Sequence, residues 1–287
     1  MDKLYKVNHI ASSDEESEIL DFKESPGGSA ANTAVGLARL GVKTGFIGKV
    51  AADREGKLLL RDFIEEGVNT DGILISEGGR SGNVIGFVNE NGERALYVDP
   101  GVNDSLEFHE IDVNYASKAD LIHLTSFLGE KPFKAQKKLI EALPEISVTV
   151  DPGMIYARKG LAELKPLLER CLVFFPNERE VNLLTGKNYR EGAETLLNKG
   201  ARIVAVKLGA RGCYVTDGEE NHLIEPFKVK VVDSTGAGDA FCAGFLYGII
   251  SNKTLRECGV LGNFVASRTL MKMGARNGLP RREDLPL

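Results

Sequence analysis

Short apolar runs alternate with amphipathic stretches along most of the chain. Candidate strands are Thr44–Val50, Asp120–Thr125, Ser147–Asp151, Cys171–Phe175 and Ile203–Leu208. Between them, apolar residues recurring every three to four positions predict helices near Glu55–Glu66, Pro132–Ala142, Leu161–Glu169, Glu178–Leu184 and Glu191–Lys199. This order implies an α/β fold, a central and mainly parallel sheet covered by helices on both faces. Its connections should be right-handed crossovers. Cys213–Thr216 and Leu223–Glu225, joined by an acidic glycine turn, read as an antiparallel hairpin near one sheet edge.

Two regions break the alternation. Gly82–Asn89 and Glu93–Asp99 repeat every second residue around Asn91-Gly92, a strong hairpin signal. Leu4–Val7 and Ile19–Lys23 also read as short strands, separated by a charged loop at residues 12–18. No internal repeat or low-complexity linker divides the sequence.

Composition narrows the field. With 287 residues, 43% of them hydrophobic, the chain can bury a full core as one large domain or two small ones. A net charge of −5 argues against general nucleic-acid affinity, which calls for a basic face. No apolar run approaches the roughly 20 residues that cross a bilayer, so no membrane partner is expected. Met1 leads into a polar, mixed-charge segment unlike a secretory signal, and a cytoplasmic location follows as an expectation. Cys171, Cys213, Cys242 and Cys258 are widely spaced in mostly apolar surroundings, as buried free thiols would be. The four histidines are equally scattered, so a zinc site built from the chain is not expected.

The densest chemistry lies at Asp233-Ser234-Thr235-Gly236-Ala237-Gly238-Asp239. A β-branched run, Val229 to Val232, stops there, and an apolar helix, Ala240 to Ile250, begins. Gly236 and Gly238 leave backbone amides uncovered. Unpaired amides at a helix start, reinforced by the helix dipole, suit an anion such as phosphate. Asp239 beside that hole could take the proton of an incoming hydroxyl, a pairing that suggests phosphoryl transfer to an alcohol. The plainer alternative is a strand-to-helix turn with a first-turn acid. A second glycine-rich segment, Pro26-Gly27-Gly28-Ser29-Ala30-Ala31-Asn32, opens a helix that carries Val35, Leu37 and Leu40 and closes at Gly41. Asn32 offers both a donor and acceptors there.

Together these segments resemble the paired signatures of the ribokinase (PfkB) family of carbohydrate kinases, and the resemblance runs over nearly the whole chain. Asn177-Glu178-Arg179-Glu180 is similar to the family's Asn-x-x-Glu segment, Lys207-Leu208-Gly209-Ala210-Arg211-Gly212 to its glycine turn beside the nucleotide, and Gly274–Pro280 to its C-terminal loop. The resemblance implies a ribokinase-like fold with a core of residues 26–79 and 101–287. A small β-sheet lid of residues 2–25 and 80–100 would lie over the acceptor.

By the same resemblance, Asp239 is the general base and the amides of Gly236, Ala237, Gly238 and Asp239 form the anion hole. Asp2, Gly28 and Asn32 would grip the acceptor's hydroxyls. Asn177, Glu180, Lys207, Gly209, Gly212 and Asn263 would border the nucleotide. Asn177 and Glu180 are expected near Mg2+ through water, and Asp233 and Thr235 near a K+ ion. Simpler readings stand beside several of these: a helix cap for Asn177, a strand-end charge for Lys207, a strand-end cap for Asp233.

The donor expected is a nucleotide, normally ATP, and the acceptor a sugar or nucleoside, with a ribose-like compound favoured. A phosphorylated sugar, ADP as donor, or a non-catalytic binding relic are the alternatives. Phe87, Tyr97 and Phe127 could stack on a base, although apolar packing suits them better. Arg94, Arg158 and Lys159 could meet an acceptor phosphate. A homodimer through the lid sheet is expected. Gly186-Lys187-Asn188 does not complete a phosphate-binding loop of the Gly-Lys-Ser/Thr kind. The absence of Gly-x-Gly-x-x-Gly weakens a dinucleotide-dependent oxidoreductase.

One departure stands out. The family carries a buried strand before the aspartate that Asp2 resembles, yet only Met1 precedes it here. The expectation is of a coding start upstream, because an interior strand's absence would leave backbone groups unpaired and apolar side chains uncovered.

Overall fold

The computed structural model describes residues 1–91 and 94–286, with the side chain of Arg94 outside that description. Strands are β1 (Asp2–Val7), β2 (Ile19–Ser25), β3 (Gly48–Ala51), β4 (Ile73–Ser76), β5 (Asn83–Val88), β6 (Arg94–Asp99), β7 (Leu121–Thr125), β8 (Ser147–Asp151), β9 (Cys171–Phe174), β10 (Ile203–Lys207), β11 (Cys213–Thr216) and β12 (Asn221–Ile224). Helices are α1 (Ser29–Arg39), α2 (Arg54–Glu65), α3 (Val113–Ala116), α4 (Glu130–Ala142), α5 (Gly153–Ala157), α6 (Gly160–Leu168), α7 (Glu178–Thr185), α8 (Tyr189–Leu197), α9 (Ala237–Ile250) and α10 (Leu255–Leu270).

The main sheet has the order β12-β11-β10-β9-β8-β7. Strands β7 to β10 run parallel, and β11 and β12 turn back antiparallel as the glycine turn predicts. Side-chain alternation along β10 divides the core. Ala205 packs with α1, α9 and α10, whereas Val204 and Val206 pack with α6, α7 and α8. A strand covered on both faces must be apolar throughout, which is why Ile203–Lys207 is a continuous hydrophobic run until its last residue.

A second sheet has the order β2-β1-β5-β6, with β1 and β5 parallel and the outer pairs antiparallel. The turn expected at Asn91-Gly92 involves residues 92 and 93, which lie outside the described residues. Tyr5 stacks between Phe22 and Phe87, at 4.8 and 5.5 Å between ring centroids, and Tyr97 meets the edge of Phe87. These rings thus pack on one another across all four strands.

Two predicted strands are corrected. Thr44–Val50 shortens to β3 at Gly48–Ala51: it ladders with β4 over Gly48–Ala51, and Gly45 makes an isolated bridge to Asn69. Val229–Val232 forms no strand. Val231 and Val232 are more than half exposed, and the Val232 amide donates to Leu270 O at 2.8 Å. β-branched residues favour a strand only where a ladder and a packing surface exist.

Among the described residues the β3–β4 pair stands apart from the main sheet, and β7 has a ladder partner, β8, on one side alone. Between them lies a cavity of about 860 Å³, lined by Leu121–Thr125 of β7, Gly45–Ile47, and Ala31, Ala34 and Leu37 of α1. Among the described residues no strand pairs with the free side of β7, in keeping with the sequence reading that only Met1 stands before Asp2. The cavity runs on to Met1, Asp2, Gly27 and Gly28. Met1 is buried, its ammonium donates to Gly82 O at 2.9 Å, and burial pulls that amine's pKa down.

Helices α9 and α10 pack with their backbones close together. A Cβ on Gly244 would lie 2.4 Å from Leu261 O, and one on Gly262 would lie 2.7 Å from the Phe241 ring. Gly244→Val is therefore expected to destabilise the fold by about 1–3 kcal/mol, read as a lower urea midpoint. An unchanged midpoint would show that the two helices can separate without loss.

Candidate active site

The carboxyl ends of parallel strands are where open α/β sheets bind ligands. Asp151 ends β8, Asn177 follows β9, and Lys207 ends β10. Helix α9 points its N-terminus at the same place, with Asp239 in its first turn. Gly236 caps that helix at φ +75°, and a Cβ there would press into Ala275 at 2.6 Å, so only glycine suits the position. The first amides of a helix have no partner four residues back. Ala237's amide is taken up weakly by Ser234 O at 3.3 Å, while the helical ladder starts with Ala240 donating to Gly236 O.

Helix α1 fixes the carboxylate. Ser29 Oγ donates to Asp239 Oδ1 at 2.6 Å, and Asn32 Nδ2 donates to Asp239 Oδ2 at 2.8 Å. Asn32 cannot flip, because its Oδ1 accepts from Arg276 Nε at 2.8 Å and a guanidinium only donates. Arg276 is itself buried, ion-paired with Asp62, and donates to Gly27 O. This chain of bonds ties the C-terminal loop to the glycine-rich turn. Burial pushes the Asp239 carboxyl up to about 6; the bonds from Ser29 and Asn32 and the nearby Lys207 pull against that rise, and Asp151 adds to it.

The remaining predicted residues fall as follows. Asp2 lies against Gly27, where a Cβ would come within 2.1 Å of Asp2 Oδ2, and burial raises its carboxyl pKa. Gly28 caps α1 at φ +103°, and a Cβ there would meet Ala31 Cβ at an ordinary contact distance of 3.7 Å. Asn177 and Glu180 form a reciprocal cap on α7: Asn177 N donates to Glu180 Oε2 at 2.8 Å, and Glu180 N to Asn177 Oδ1 at 2.9 Å. Glu180 is buried, which raises its pKa, and it feels the charges of Lys207 and Asp151. Lys207 pairs with Asp151 at 2.5 Å.

Gly209 and Gly212 both have positive φ, and a Cβ on Gly212 would strike Ile224 O. Asn263 is buried and donates to Ile224 O and Glu225 O, both at 3.1 Å, so it holds the chain after β12. Asp233 accepts from Thr235 N and Thr235 Oγ1 through Oδ1, and from Gly274 N through Oδ2. Phe127 packs with a separate apolar cluster beneath α4. Lys159 pairs with Glu130. Arg94's side chain lies outside the described residues.

Three residues of this site were not singled out from the sequence. Ser29 sat unremarked within the glycine-rich segment, and Arg276 within the C-terminal loop. Asp151 carried a usable signal: an acid at the carboxyl end of an otherwise apolar parallel strand.

Three comparisons bear on this geometry. Residues 2–282 match the model of the pfkB family carbohydrate kinases. The chain is 50% identical over 253 residues to an uncharacterized sugar kinase of Archaeoglobus fulgidus, covering 87% of this chain and all of that protein. It is 33% identical to an ATP-dependent ribose-1-phosphate kinase of Halopiger xanaduensis, covering 96% and 90% of the two chains. Among solved structures, ribokinase from Thermotoga maritima superposes with a TM-score of 0.88 at 27% identity, over 98% and 93% of the two chains. The ordered signatures, the ribokinase-like architecture and these likenesses agree, and this chain belongs to the pfkB family of carbohydrate kinases.

Proposed function

We propose that the enzyme transfers the terminal phosphoryl group of ATP to a hydroxyl of a ribose-like sugar or nucleoside. The observation that supports this most is Asp239 held by α1 at the open N-terminus of α9. Residues 2–25 and 80–100 act as the lid, and residues 26–79 and 101–287 as the nucleotide-binding core. Asn32 bonds Asp239 directly, and Asp2 and Gly28 line the cavity beside Ser29 on the side of α1.

In the reaction, the acceptor's hydroxyl oxygen attacks the terminal phosphorus. The hydroxyl proton passes to Asp239, the bond from that phosphorus to the bridging oxygen breaks, and the nucleoside diphosphate leaves. Little covalent work falls to the protein, so positioning and charge stabilisation dominate. The amides of Gly238 and Asp239 face the charge developing on the transferred group. Mg2+ bound to the phosphates would neutralise part of their charge. Both oxygens of Glu180 are engaged by Asn177, which suits contact with such an ion through water better than direct ligation. Asp233 and Thr235 are oxygen donors of the kind a K+ ion takes, held together in one tight loop.

Substitution of the base tests the mechanism. Asp239→Asn should lower kcat by about 10²–10⁴-fold while nucleotide affinity, measured by calorimetry, persists. Near-normal turnover in the folded variant would remove Asp239 from the chemistry. The base works only when deprotonated, so kcat/KM should fall as pH drops through about 6, with a slope of one proton. Activity unchanged from pH 8 to pH 5 would contradict the assignment.

For the acceptor, nucleotide consumption should be compared across ribose, other pentoses, nucleosides and pentose phosphates. Turnover with ribose or a nucleoside above that with ribose 1-phosphate is expected. The relation to a ribose-1-phosphate kinase favours pentose phosphates as the second reading, and turnover confined to them would establish it.

One face of the four-stranded sheet exposes Phe22 and Tyr97, 47% and 62% accessible, beside Tyr5 and Phe87. We expect this surface to be covered in a homodimer. Sedimentation at micromolar concentration should give a two-chain particle, and a monomer alone would refute it.

A further inference from the structure

Lys207 ends the apolar strand β10, and its side chain is only 15% exposed. A charge so placed needs a partner, and Asp151 at the end of β8 supplies one at 2.5 Å. Asp151 is buried and also accepts weakly from Cys242 Sγ at 3.5 Å. The ammonium does not stop at that pair. A Cβ on Gly238 would lie 3.6 Å from Lys207 Nζ, so the bare α-carbon of the glycine turn leaves the ammonium uncovered toward the open amides of α9.

We propose that Lys207 is a catalytic residue whose ammonium meets the phosphoryl group during transfer, and that Asp151 is the positioning residue that holds it there. The inference rests on the kinase reading and on no particular acceptor. It completes the same transfer: as the acceptor oxygen bonds to phosphorus and the bridging P–O bond breaks, negative charge moves onto the phosphoryl oxygens and the leaving diphosphate. A fixed ammonium at the side of the hole stabilises that charge without reorganising. Asp151 supplies the charge that keeps Lys207 protonated against desolvation, and the lysine's pKa is accordingly raised.

The pair also adjoins the base. Around Asp239 stand Ser29 and Asn32 from α1, with Arg276 behind them, Lys207 from β10, Asp151 from β8 and Cys242 from α9. Glu180 of α7 and His123 of β7 face the pair, and burial keeps His123 neutral with a pKa of about 4. Lys207 and Asp151 thus act on the Asp239 carboxyl with opposite signs.

Three proteins test this: Lys207→Met, Asp151→Asn, and the double variant. Lys207→Met should lower kcat by about 10²–10³-fold, the loss seen when one preorganised transition-state donor is removed. It should also lower the melting temperature, because Asp151 is left buried without the opposite charge that Lys207 supplies. The double variant removes both charges and should regain the melting temperature but not the rate. Recovery of both would show the pair to be purely structural and would overturn the proposal.

A second readout needs no acceptor. The Asp239 carboxyl resonance, assigned by its loss in Asp239→Asn, should titrate at higher pH in Lys207→Met and at lower pH in Asp151→Asn. Shifts in the same direction, or none, would overturn the placement of the ammonium beside the base. If wild-type protein phosphorylated no acceptor, the kinase reading would fail while these titrations still reported the geometry.

Discussion

The site depends on one relay of hydrogen bonds, Arg276 to Asn32 to Asp239. A carboxylate at the N-terminus of a helix is drawn toward the helix's own amides, and there it would occupy the anion hole. Ser29 and Asn32 hold it instead toward the side of α1. Arg276 sets the direction of the Asn32 amide, so the NH2 group has one place to point. The first amides of α9 are thereby left clear of the Asp239 carboxylate, which remains beside them. Gly27 and Gly28 matter for the same reason, since a side chain at the first would displace Asp2 and the second needs a positive φ.

Beneath this relay the charges follow one pattern. Two acids and a lysine, Asp151, Glu180 and Lys207, cluster where three strands end, in surroundings that penalise each charge alone. Their mutual neutralisation makes the burial tolerable. Glu180 serves as half of a helix cap as well, so the cap and the charged cluster are one construction. The bland reading of Asn177 as a cap and the functional reading near the nucleotide therefore do not compete.

Much of the fold was legible because two-sided burial forces apolar continuity. Strands β7 to β10 appear in the sequence within one residue of their ends, and the amphipathic helices between them within two. Val229–Val232 was misleading for the converse reason: β-branching alone cannot make a strand where no ladder reaches. The glycine signatures exposed Asp239, Gly236, Gly28 and Asn32, since each glycine marks a conformation or an approach closed to other residues. Arg276 and Asp151 were harder to see. Their roles exist only through partners more than 50 positions away; nothing local distinguishes Arg276 from a surface charge, and Asp151 has only its place at the end of an apolar strand.

The unpaired edge of β7 and the cavity beside it form the least economical part of the molecule. Apolar space of this size deprives its lining of contacts that a packed core would provide. The cavity reaches Met1 and Asp2, so the packing of that region bears directly on how firmly Asp2 is held.

The most direct test of the central claim is a structure of the enzyme with a non-hydrolysable ATP analogue and an accepted sugar. The account predicts the terminal phosphate against the Gly238 and Asp239 amides, and a sugar hydroxyl within hydrogen-bond distance of Asp239. A terminal phosphate bound elsewhere, or a hydroxyl facing any other base, would contradict it.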